Sequence, residues 1–188
     1  MSAHNDRDRL VVEQVLRGQR DAFRELVDRY RGPLHGLVLR MVGSPTEADD
    51  LTQLTFVEAF RALARYDGRR SFATWLMRIA VNNCKDHLKS HKRRERQLQA
   101  DETEALFSGH VPGPEQGLRD ARRAEAIEAA IAALAPMYRL PLVLKDVEGL
   151  SYREIHQVLD LPVTTLKIRV VRARAKLQEQ LRWLIETS

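Results

Sequence analysis

The sequence predicts an all-α fold: two helical domains joined by a flexible acidic linker, the second domain a helix-turn-helix. Three observations carry this. Ala, Leu, Arg and Glu dominate, and β-branched runs are few. Apolar residues recur at helical spacing on both sides of a single break. The break itself, residues 97–117, gathers Gly109, Pro112, Gly113, Pro114 and Gly117 among acids. With 188 residues and 44% hydrophobic composition, the chain can bury a core in one or two domains.

In the first domain, 1–96, Leu10, Val11, Val15 and Leu16 keep helical spacing up to Gly18. Asp21 is expected to cap a second helix carrying Phe23, Leu26, Val27 and Tyr30. A third apolar segment runs from Leu34 to Val42 and stops at Gly43. Ser44-Pro45-Thr46-Glu47 is a start signal, with Ser as N-cap, Pro at the first helical position and Glu reaching back. That helix should continue to about Ala64, followed by a turn, Tyr66 to Arg70. Ser71 then caps a helix carrying Phe72, Trp75, Leu76, Ile79 and Leu88 into the basic run Lys92-Arg93-Arg94. Helical periodicity resumes at Leu118 and defines the second domain, 118–188. There, Ser151-Tyr152-Arg153-Glu154 is a capping box opening a short helix with Ile155, Val158 and Leu159 inside. Asp160-Leu161-Pro162 is a turn, and a second helix follows with Leu166, Val170, Ala173 and Leu177 in one stripe.

Composition excludes several classes. The longest apolar run is seven residues, Ala129 to Ala135, against the roughly 20 that a membrane span needs. The polar first residues carry no apolar signal segment, and a lone Cys84 forms no internal disulfide. Cys84 reads as a small buried residue rather than a thiol sensor. The expectation is a cytoplasmic chain without membrane insertion. The net charge is +5, and Arg outnumbers Lys 25 to 6, which suits phosphate and base contacts but also fits a GC-rich genome. The charge is blocked: residues 44–58 carry four acids and no base, 97–118 four acids and no base, and 161–176 five bases and no acid. Blocks of opposite sign suggest separate surfaces for separate partners.

A short helix, a three-residue turn and a longer acid-free basic helix form a DNA-binding pattern. At about 100° per residue, Thr164, Ile168, Val171 and Arg172 lie opposite the apolar stripe, flanked by Thr165 and Lys167. Arg169, Arg174 and Lys176 sit at the borders, within reach of phosphates. Outward-facing Ile168 and Val171 make sense against thymine methyls in the major groove. In the first domain Tyr66, Phe72 and Trp75 are interleaved with Arg65, Arg69, Arg70 and Arg78. Such interleaving suits single strands, whose bases stack on rings. Periodicity equally reads Phe72 and Trp75 as core, which makes Tyr66 the better stacking candidate.

Residues 22–30 (AFRELVDRY), ADDLTQ at 48–53, FATWL at 72–76 and RIAVN at 78–82 resemble region two of a bacterial sigma factor. EGLSYREI at 148–155, LPVTTLK at 161–167 and RAR at 172–174 resemble region four. Two regions with a short linker are the layout of the extracytoplasmic-function (ECF) group. The resemblance implies that Asp49, Asp50 and Gln53 bind the clamp helices of core RNA polymerase. It implies that Tyr66, Arg69, Arg70, Phe72, Trp75, Arg78, Asn82 and Lys85 capture the melted −10 element as a single strand. The duplex −35 element would be read by Thr164, Thr165, Lys167, Ile168, Arg169, Val171, Arg172 and Arg174. Linker acids Asp101, Glu102 and Glu104, with Leu106 and Phe107, would thread toward the polymerase cleft; a solvated tether is the other reading. An anti-sigma factor, often membrane-anchored, is a further implied partner.

The chain departs from the family pattern where His156 replaces a small residue and Asp160 a glycine, and where Thr164-Thr165-Leu166 and Ile168 stand in the recognition helix. Arg69 and Arg70 also stand where an acid or small polar residue is usual. These positions touch promoter sequence rather than class. No catalysis or cofactor is expected. A helix-turn-helix regulator acting without polymerase is the alternative, but it needs neither the acidic helix nor the aromatic-basic turn. A metal site from Asp86, His87, His91 and Glu95 has the right His spacing but sits in a basic segment that repels cations.

Overall fold

The computed structural model describes residues 2–98 and 117–182. The linker acids, Leu106 and Phe107 lie outside the described residues, as do the side chains of Lys92, Arg93, Arg94 and Glu95. The regular structure of the described residues is helical, joined by turns and without strands. The helices are α1 (Ser2–Leu16), α2 (Phe23–Val42), α3 (Pro45–Ala62), α4 (Phe72–Leu98), α5 (Gly117–Ala133), α6 (Pro136–Leu142), α7 (Tyr152–Leu159) and α8 (Val163–Gln180).

In the first half, α1 to α4 close around Leu26, Leu34, Val38, Ala48, Ala59, Leu63 and Phe72, each 2% exposed or less. Three local expectations change. The second and third apolar segments are one helix, α2, running through Pro33. Pro33 and its neighbours Arg31 and Gly32 are exposed, so the lost ring-nitrogen donor faces water. Leu26, Leu34 and Leu37 meanwhile hold both ends of the helix in the core. Asp21 caps nothing: a 3₁₀ turn at Arg20–Ala22 feeds the chain into α2 already helical, with Ala22 at φ −60° and ψ −25°. An N-cap side chain needs an extended residue to present it. Ser44 does cap α3, accepting from the Glu47 amide at 3.4 Å. Glu47 does not reach back, because its carboxylate lies 3.2 Å from His87 Nε2 on α4.

Helix α1 is pinned by a buried carboxylate. Asp8 is 1% exposed and accepts hydrogen bonds from Arg29 and from the Tyr30 hydroxyl. Burial beside that acid pushes the Tyr30 hydroxyl well above its usual pKa.

The two halves are not independent. Leu37, Met77 and Val81 of the first half share one buried cluster with Ile131, Leu134, Leu142, Ile155 and Leu166 of the second. Arg40 forms a two-pronged pair with Glu128, at 3.0 and 2.6 Å, and Arg139 donates to the Arg40 carbonyl at 3.1 Å. Helix α4 lies against α7.

Candidate nucleic-acid interface

Helix α3 turns one face outward. Asp49, Asp50 and Gln53 are all exposed on it, with Asp49 3.3 Å from His35 Nε2. The same face continues with Leu54, Val57 and Phe60, exposed by 44%, 39% and 37%. Phe60 leans edge-on against Phe23 at 5.1 Å. The apolar continuation escaped the sequence reading, although the three-residue spacing of Leu54, Val57 and Phe60 was the available signal.

The turn after α3 is built by its own side chains. The Tyr66 hydroxyl donates to the Arg70 carbonyl at 2.7 Å, and Asp67 accepts from the Arg69 amide at 3.0 Å. Ser71 caps α4 through the Thr74 amide at 3.1 Å, as its position predicts. Tyr66 and Trp75 are half-buried, with rings 5.3 Å apart. Phe72 is a correction. It is fully buried beneath both, 5.8 Å from Tyr66 and 5.6 Å from Trp75, so its ring supports the aromatic pair and offers no face to solvent. Arg69 is exposed, 3.6 Å from Asp67, and Arg70 is half-buried. On α4, Asn82 is exposed. Arg78 instead donates to the Gln157 carbonyl of α7 at 2.8 Å, and Lys85 lines an apolar groove between the halves with Met41, Leu159, Leu161 and Arg169. In this arrangement both face the second half rather than open solvent, because α7 packs over that part of α4.

The helix-turn-helix forms as the sequence reads. Ser151 and Glu154 make the reciprocal capping box, and Ile155, Val158 and Leu159 are buried. Asp160 adopts the left-handed conformation at φ 56°, where a glycine is usual. His156 spans the turn, its Nδ1 2.9 Å from the Leu161 carbonyl. On α8, Leu166, Val170 and Ala173 are fully buried. Thr164, Lys167 and Arg172 are exposed, Ile168 and Val171 are 52% and 62% exposed, and Thr165 is half-buried. Lys167 sits over the Tyr152 ring at 5.9 Å, and Lys145 over the same ring at 5.3 Å. Two border residues lie against other parts of the protein. Arg174 is committed to Asp146 through two hydrogen bonds of 2.9 and 2.5 Å, which raise its pKa further. Arg169 is half-buried along the inter-domain groove.

The thiol of Cys84 is buried, and desolvation pushes its pKa up to about 12. The His87 and His91 rings are 6.4 Å apart. Among the described residues no group of three His, Cys, Asp or Glu side chains converges as a metal site would.

Residues 26–94 match the family model of sigma-70 region 2, and residues 124–177 that of sigma-70 region 4. The chain is 36% identical to the RNA polymerase sigma-H factor of Pseudomonas aeruginosa over 187 residues, covering 96% of each. It is 35% identical to the ECF RNA polymerase sigma-E factor of Escherichia coli K12 over 184 residues, covering 95% of this chain and 96% of that one. Among solved structures, CnrH in complex with the cytosolic domain of CnrY superposes with a TM-score of 0.67 at 30% identity, covering 93% of this chain and 97% of that one.

Proposed function

Because the chain belongs to the sigma-70 family, in its ECF group, we propose a division of labour among its surfaces. It is an alternative sigma factor, a transcription initiation factor that directs RNA polymerase to promoters; a stand-alone helix-turn-helix regulator is not favoured. We assign residues 1–96 to polymerase and −10 binding, 97–117 to the linker and 118–188 to the −35 element. The exposed face of α3, Asp49, Asp50 and Gln53, is the surface for core polymerase. Tyr66 and Trp75 stack on melted −10 bases, with Arg69, Arg70 and Asn82 near the backbone. Arg78 and Lys85 join them once the second half moves off α4. On α8, Thr164, Thr165, Ile168, Val171 and Arg172 face the −35 duplex, with Lys167 as a phosphate anchor.

The observation that carries this reading is the coexistence in one chain of an exposed acidic helix face and a recognition helix whose residues up to Lys176 include bases but no acid. A protein that only grips duplex DNA has no use for the first. A third partner is an anti-sigma factor, the family's usual inhibitor; the related CnrH is solved bound to a separate domain, that of CnrY. No described helix is long and apolar enough to cross a membrane, and we place the protein's action in the cytoplasm with polymerase. Run-off transcription with purified core polymerase on genomic fragments tests the assignment. Discrete start sites are expected from the wild type, and their loss with Asp50→Arg, whose reversed charge repels a basic partner.

A further inference from the structure

Helix α1 lies outside the region 2 match, which begins at residue 26, yet two consecutive residues of α1 brace the aromatic turn. Asp8 points inward and holds Tyr30, whose ring stands 5.6 Å from Phe72, the floor of the Tyr66–Trp75 pair. Arg9 points to the turn itself: its Nη2 donates to the Gly68 carbonyl at 2.6 Å. Its guanidinium also lies beside the Tyr66 hydroxyl, where it opposes the rise in pKa that burial imposes. Gly68 is left-handed, at φ 67°, and the position of a Cβ on it would lie 3.7 Å from Arg9 Nε. Arg9 therefore closes over the middle of the turn, 59 residues away in sequence. Between α1 and the turn lies an open groove of about 370 Å³, lined by Arg9, Val12, Glu13, Leu16, Tyr66 and Arg69.

We propose that Arg9 is a positioning residue for −10 recognition, holding the turn through the Gly68 carbonyl so that Tyr66 and Trp75 are presented in one orientation. The proposal rests on the assignment of Tyr66 and Trp75 as stacking residues. Its physical basis is pre-organisation. A turn already fixed spends less ordering entropy when the strand arrives. Arg9 reaches the carbonyl from a helix that Asp8 has locked in place, so the bond is held at both ends.

The test uses full-length chain in holoenzyme, as wild type, Arg9→Ala, Arg9→Lys and Tyr66→Ala. The probe is a single-stranded oligonucleotide carrying the −10 sequence that wild-type holoenzyme selects from a randomised promoter library. Arg9→Ala should weaken binding about tenfold, as for one charge-assisted hydrogen bond, with an unchanged salt slope. Arg9→Lys, which can still donate to the carbonyl, should restore most of it, and −35 duplex affinity should not move in either variant. A slope shallower by about 0.7 with Arg9→Ala marks a direct phosphate contact and overturns the positioning role. Loss of −35 affinity in parallel marks general unfolding and also overturns it. If Tyr66→Ala weakens binding and Arg9→Ala does not, the inference fails and the stacking assignment stands. If neither variant has an effect, the stacking assignment itself falls, and the inference with it.

Discussion

Phe72 and Trp75 stand three residues apart on α4 and have different work. Phe72 is fully buried under Tyr30, Tyr66 and Trp75, whereas Trp75 keeps part of its ring in water. Phe72→Ala should therefore destabilise the fold by about 3–5 kcal/mol in urea unfolding, the usual cost of emptying a buried phenyl site. Trp75→Ala should cost less stability but weaken single-stranded −10 binding by about 1–3 kcal/mol, one lost stacked base. Cys84 gives a second residue-scale test. With its thiol pushed up to about 12, almost no thiolate exists at pH 8. Iodoacetamide should leave native Cys84 unmodified at that pH and alkylate it only after denaturation, as intact mass would record.

At the scale of elements, the helix-turn-helix was legible almost residue by residue, because its capping box, turn and apolar stripe are local signals. The continuity of α2 was not. Gly32 and Pro33 read as a stop, and only the three-dimensional burial of Leu34, Leu37 and Val38 overrides them. The internal pairing of the basic side chains on α8 was only half legible. Sequence counts bases, but pairing decides which are free, and Arg174 is spent on Asp146, a residue 28 positions away. Lys167→Ala should therefore reduce the salt slope of −35 duplex binding by about one unit, while Arg174→Ala should leave it nearly unchanged. Ile168→Ser should shift the preference at one −35 base pair by about 1–3 kcal/mol, the loss of one apolar contact with a thymine methyl.

For the whole molecule, the interface between the halves is the feature that local patterns could not reveal. Leu37, Met77 and Val81 fit any amphipathic helix, and nothing in their spacing says that their partners lie beyond residue 117. The interface has a consequence for Arg78. Its bond to the Gln157 carbonyl must break before it can meet DNA. Glu128→Arg sets two cations against each other across the Arg40 contact. It should raise the radius of gyration in small-angle scattering while circular dichroism stays constant; an unchanged radius would mean that the pair does not hold the halves together. The acidic face of α3 was legible from charge alone, whereas the use proposed for it rests on the family. Asp50→Arg should abolish co-purification with core polymerase without changing helix content.

The central claim is that two separate surfaces of one chain read two separate promoter elements. Its most direct test is a promoter library randomised at both elements and transcribed by holoenzyme carrying wild type, Trp75→Ala or Ile168→Ser. The selected motif should change only at −10 with Trp75→Ala and only at −35 with Ile168→Ser. A change at the other element, or an unaltered motif with both variants, would contradict it.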